Sequence, residues 1–82
     1  MKSYTKVYFN HFDLTTADFV GCEVCGARAV DIHHIEARSK RKDLVNEITN
    51  LMALCRVCHL EYGDKVEHKK MLQTIHNKKL NS

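Results

Sequence analysis

Asn50-Leu51-Met52-Ala53-Leu54-Cys55-Arg56-Val57-Cys58-His59 is the stretch on which the fold turns. Four apolar residues in a row make a strand-length buried segment, and a C-x2-C pair follows without a gap. The same spacing occurs upstream in Cys22-Glu23-Val24-Cys25. Two such pairs present four thiolates from two tight turns to one tetrahedral ion, a donor set that suits zinc and not a hard, oxygen-seeking cation. Between the pairs, residues 29–35 read Ala-Val-Asp-Ile-His-His-Ile, a second strand-like run. Leu51–Leu54 is therefore expected to return beside it as a small antiparallel hairpin.

Working outward, residues 36–50 carry mostly polar side chains with Leu44, Val45 and Ile48 scattered among them, so they are expected to form a structured excursion between the strands. Arg56 to Tyr62 suits a helix, with Gly63 at the C′ position where a left-handed backbone commonly ends one. Val66, Met71, Leu72 and Ile75 give a second amphipathic stretch, and a C-terminal helix is expected over residues 64–80. At the other end, Tyr4, Val7, Tyr8, His11 and Phe12 recur at helical spacing within an N-terminal extension covering residues 1–20. Gly26, directly after Cys25, is placed where positive φ lets the chain turn its amides toward the sulfurs. The outline is α+β: a hairpin core over residues 22–65, flanking helices, and one domain over residues 1–82.

A chain of 82 residues buries little apolar surface, and with no proline, repeat or linker it offers no second unit to share the load. A bound metal is the expected staple. No apolar run reaches the length of a membrane span, and the start lacks the apolar core of a secretory signal, so the expected location is the cytoplasm, where thiols stay reduced and free to bind metal. The formal charge is +3; a zinc on four thiolates adds a net −2, leaving about +1. Distribution then matters more than total. Arg38, Lys40, Arg41 and Lys42 begin four residues after His34 and are the candidate nucleic-acid contacts.

Taken together, Cys22-x2-Cys25, Asp31-Ile-His-His-Ile35, Asn50-Leu-Met-Ala-Leu-Cys55 and Cys55-x2-Cys58-His59 resemble the HNH endonucleases, the zinc-containing branch of the ββα-metal nucleases. The small size is also similar to that of stand-alone HNH proteins carried by phages and prophages, which would place the chain in a bacterial cytoplasm. The resemblance implies structural zinc on Cys22, Cys25, Cys55 and Cys58. It implies His34 as general base, since a neutral imidazole can take a proton from water near pH 7. His33 and His59 match the positions that ligate a catalytic divalent cation (manganese, nickel, cobalt or magnesium), and Asn50 matches the residue that ties the excursion to the backbone near the base. Asp31 could orient a ligand imidazole from behind.

Three departures accompany the likeness. Gly63 stands where some relatives have a further histidine, leaving two secure protein ligands and water, with Asp31, Glu61 and Asp64 the carboxylates that could complete the shell instead. The excursion holds neither glycine nor proline. Ideal strand alternation also sends His33 and His34 to opposite faces. The implied function is hydrolysis of DNA phosphodiester bonds, leaving 3′-hydroxyl and 5′-phosphate ends, with the partner a DNA duplex read with little sequence selectivity. The alternative is a catalytically inactive, zinc-stabilised module that binds DNA or protein.

Overall fold

A computed structural model describes residues 1–82. The element order is α1 (Ser3–His11), β1 (Asp31–His34), β2 (Leu51–Leu54), α2 (Arg56–Tyr62) and α3 (Lys69–Leu80), with short 3-10 turns at Lys42–Leu44, Ile48–Asn50 and Val66–His68. The α+β architecture expected from the sequence is present: β1 and β2 pair antiparallel, with Asp31 opposite Leu54, Ile32 opposite Ala53, His33 opposite Met52 and His34 opposite Leu51. No helix is long and apolar enough to cross a membrane.

The central strand β2 is sealed on both faces, with Leu51, Met52, Ala53 and Leu54 all fully buried. Alternation divides them. Met52 and Leu54 join Cys22, Cys55, Cys58, Ile35 and Leu72 in one cluster, while Leu51 and Ala53 pack with Tyr8 in the other. One face of the hairpin thus belongs to the cysteines and α3, the other to α1.

Strand β1 is shorter than the run 29–35. Its leading residues are drawn elsewhere: the Ala29 amide donates to the Val20 carbonyl at 2.8 Å, and Gly21 bridges to Arg28. The expected C-terminal helix likewise starts late, at Lys69, because Asp64 takes a left-handed backbone (φ 63°) and Lys65 is extended. Gly26 has the positive φ that its place after Cys25 predicts, at 84°. Gly63 does not, since its φ is −66°. Space is what demands glycine there: a Cβ on Gly63 would lie 2.5 Å from the His59 ring and 2.5 Å from the His59 carbonyl oxygen.

A buried polar knot ties the layers together. His76 on α3 donates from Nδ1 to Glu23 Oε1 at 2.7 Å and from Nε2 to the Ile48 carbonyl at 2.6 Å. The Ile48 carbonyl can only accept, so Nε2 carries hydrogen, and the Glu23 carboxylate favours a second proton on Nδ1. Burial pushes the His76 pKa down, but Glu23 and the Ile48 carbonyl more than offset it and the net shift is upward. The other Glu23 oxygen accepts from the Tyr8 hydroxyl at 2.5 Å and the Ala53 amide at 3.1 Å. One carboxylate between two cysteines therefore anchors α1, β2 and α3.

Candidate active site and metal centres

Cys22 and Cys25 sit on the turn before Gly26, while Cys55 caps the N-terminus of α2 and Cys58 lies in its first turn. The four sulfurs lie within 4.8 Å of one another. Cys25 Sγ and Cys55 Sγ are 3.6 Å apart, far beyond the roughly 2.05 Å of a disulfide and close to the edge, about 3.8 Å, of a tetrahedron with zinc–sulfur bonds of about 2.3 Å. Burial opposes ionisation at Cys22, but the amides of Cys25, Cys55 and Val24 bring its pKa down to about 7. Burial and the neighbouring sulfur of Cys55 push Cys58 the opposite way. A cation among the four sulfurs resolves that conflict by stabilising every thiolate at once. The cluster fits a metal such as zinc.

A second cluster lies along the end of β1. His33 is buried, and its Nε2 has no hydrogen-bond partner. An unpaired buried nitrogen is costly unless something fills the gap beside it. His59, on α2, approaches to a ring-centroid distance of 5.0 Å. Its Nδ1 donates to Asp31 Oδ2 at 3.0 Å, which fixes the tautomer and leaves Nε2 as the lone-pair nitrogen. Asp64 completes the group, and its carboxylate and the two imidazoles offer donor atoms within 4.8 Å of one another. Asp64 reaches this position through the Gly63–Asp64 turn described above. The two-histidine expectation therefore gains a third donor one residue beyond the missing histidine, and the mixed nitrogen and oxygen set fits a divalent cation.

His34 occupies the other face of the strand, as alternation requires, opposite Leu51 and edge-on to Tyr4 at 4.5 Å between centroids. The faces nevertheless meet, because β1 is an edge strand that ends at His34. Both histidines line one open cavity of about 540 Å³, together with Asp31, His59, Asp64, Tyr4, Lys2 and Arg38. His34 Nε2 donates to the Val45 carbonyl at 3.0 Å, which leaves Nδ1 as the basic nitrogen. Its pKa is lowered, first by burial, with the charges of Arg38 and Lys2 adding to the shift against the Val45 hydrogen bond. The ring is thus neutral near pH 7.

Asn50 cross-links the excursion. Its Oδ1 accepts the Glu36 amide at 2.7 Å, and its Nδ2 donates to the carbonyls of Glu36 at 3.1 Å and Leu44 at 3.3 Å. Leu44 precedes Val45, so this side chain and the carbonyl that holds His34 belong to one braced segment. Among the basic residues, only Arg38 of the expected four lines the cavity. Arg41 is paired with Asp43 at 2.9 Å, and Lys40 and Lys42 lie away from the cavity wall. Lys2 and Tyr4 line it although sequence spacing gave neither a role in it. Of the three carboxylates that could complete the metal shell, Asp31, Glu61 and Asp64, it is Asp64 that joins the two imidazoles.

Residues 22–65 of the chain match the family described as HNH endonuclease. The mitochondrial DNA mismatch repair protein mutS homolog of Sarcophyton glaucum is 35% identical over 75 residues, an alignment that covers 74% of this chain and 8% of that protein. The chain therefore corresponds to a small part of that relative. No solved structure matches significantly.

Proposed function

Because the chain belongs to the HNH endonuclease family, we propose that it is a metal-dependent endonuclease that hydrolyses DNA phosphodiester bonds, with His34 as general base and 3′-hydroxyl and 5′-phosphate ends as products. The observation that carries this reading is the shared cavity: a neutral imidazole with Nδ1 unengaged lines the same cleft as the orphaned His33 nitrogen and its neighbours His59 and Asp64.

His33, His59 and Asp64 would hold a divalent cation. Bound there, it supplies Lewis-acid stabilisation for the scissile phosphate and the departing 3′ oxygen. His34 Nδ1 takes a proton from the attacking water, while the Val45 carbonyl on Nε2 keeps the ring oriented and stabilises the positive charge it acquires. Asn50 acts on orientation: by tying Leu44 to Glu36 it keeps the Val45 carbonyl in place. Asp31 holds the His59 ring so that Nε2 faces the cation. A catalytically inactive zinc-bound module that binds DNA or protein uses the four cysteines equally well, but it has no need of His33, His34, Asn50 and His59 around one cleft. The substrate is a DNA duplex held mainly by its backbone, with low sequence selectivity.

Incubating zinc-loaded protein with supercoiled plasmid tests the reading. Cleavage is expected on adding manganese, nickel, cobalt or magnesium and not without them. Absence of cleavage with every one of these ions would leave the binding module as the better account.

A further inference from the structure

The cleft is electrically divided. Asp31 and Asp64 lie with the two imidazoles at one side, whereas Lys2 and Arg38 border the side next to His34. Neither of these cations has a carboxylate partner, although other basic residues nearby do: Arg41 pairs with Asp43, Arg56 with Asp31 and Lys69 with Glu36. Both are exposed, and both are gathered on one aromatic ring, with Lys2 Nζ 5.6 Å and Arg38 Cζ 5.7 Å from the centroid of Tyr4. Each cation is attracted to the ring face, and two unpaired cations held by one ring present a ready site for an anion. The same ring rests edge-on against His34. Its helix is not loosely attached, since Tyr8 is fully buried and hydrogen-bonded to Glu23. Lys2 and all of α1 lie outside the segment that matches the family, so Lys2 and Tyr4 reach the site from beyond the matched core.

We propose that Lys2 and Arg38, gathered on Tyr4, form a phosphate clamp that grips the DNA backbone beside the scissile phosphate on the side of the cleft opposite His33, His59 and Asp64. The clamp rests on the nuclease reading for its ligand. Its parts divide the work: the two cations bind phosphate oxygens, and Tyr4 is a positioning residue that fixes their spacing relative to His34. A clamp on backbone phosphate carries no sequence information, which agrees with low selectivity.

The test is binding without turnover. Zinc-loaded full chain, with no other divalent cation added, is titrated into a fluorescent DNA duplex over a series of potassium chloride concentrations, and the duplex is checked for integrity afterwards. Each lost phosphate contact should reduce the slope of log K against log salt by about 0.9. Lys2→Ala and Arg38→Ala are each expected to do so, the double variant by about twice as much, while Lys70→Ala, at an exposed lysine away from the cleft, leaves the slope unchanged. Tyr4→Leu should weaken binding with both cations intact, and Tyr4→Phe should not, because the ring and not the hydroxyl makes the contacts. Equal thermal unfolding midpoints verify that each variant is folded. Wild-type slopes in both single variants, or an equal loss in Lys70→Ala, would overturn the clamp while leaving the nuclease reading intact. A wild-type chain that neither binds nor cleaves DNA would instead defeat the nuclease reading, and the clamp with it.

Discussion

The two donor clusters of this molecule share the short helix α2, yet they are built on opposite plans. The cysteine cluster is closed: four identical donors in two C-x2-C turns, three of them buried, with all sulfurs near enough to share one tetrahedral ion. The His33, His59 and Asp64 cluster is open, with mixed donors from a strand, a helix and the turn beyond it, along a cavity wall. A closed thiolate site has every position filled and serves the fold; an open site leaves room for a substrate oxygen. Cys58 and His59 are adjacent on α2, so the helix couples the two centres and any damage to the first should reach the second.

The sharpest way to break that comparison is to remove a cysteine. Cys58→Ser should lose most of its folded structure, because thiolate–zinc binding is folding free energy in a domain with so small a core. Circular dichroism with zinc present measures this. His34→Ala, in contrast, should fold like wild type. Native-like spectra from the Cys58→Ser chain without zinc would mean that the closed site is not structural.

Next in size is the base. His34→Ala should lower plasmid cleavage by about 10²–10⁴-fold while metal affinity at the open site stays unchanged. Asn50→Ala should follow the same pattern, since it misplaces the Val45 carbonyl without touching a metal donor. Wild-type cleavage by His34→Ala would remove the proposed role of that residue.

The contrast between the clusters also explains what the sequence disclosed. C-x2-C pairs are local, so Cys22, Cys25, Cys55 and Cys58 were readable from spacing, as were Leu51–Leu54 and the span of α2. Asp64 was legible only as one of three candidate carboxylates, because its place in the cluster depends on a left-handed backbone and on a steric conflict between residue 63 and the His59 ring, neither of which leaves a periodic mark. Opposite-facing His33 and His34 posed a difficulty that only the edge position of β1 removes. Tyr4 was legible as part of a helix, but neither it nor Lys2 was legible as a wall of the cleft, since that placement is a long-range packing result fixed by Tyr8 and Glu23. Glu23 and His76, the knot beneath all of this, lie 53 residues apart, beyond any local pattern.

A smaller effect sharpens the open site itself. Asp31→Asn removes the carboxylate behind His59 and should weaken divalent-cation binding by about 10–100-fold with the structural zinc retained. Asp64→Ala, which takes away a donor, should cost at least as much. Competition against a chelating dye on zinc-loaded protein reads both. If Asp64→Ala binds as tightly as wild type, two imidazoles and water suffice and the carboxylate is a bystander.

The smallest expected effect is on the pH profile. His34 works as a base only when neutral, and its pKa is held below the ordinary 6.5, first by burial and then by the charges of Arg38 and Lys2. His33 is shifted the same way, first by burial and then by His59. A lowered pKa in the folded chain means that the neutral form survives to lower pH, so cleavage should hold steady as pH falls through 6.5 and decline only beneath it. Lys2→Ala or Arg38→Ala removes one source of the depression, and the acid limb should move toward higher pH. The limb belongs jointly to base and ligand. Raising the metal concentration separates them, because metal competes with protons for His33 and not for His34: the portion that shifts with metal reports the open cluster, and the portion that stays reports the base. An acid limb centred above 6.5 at saturating metal would show that His34 is not held neutral in the working cleft.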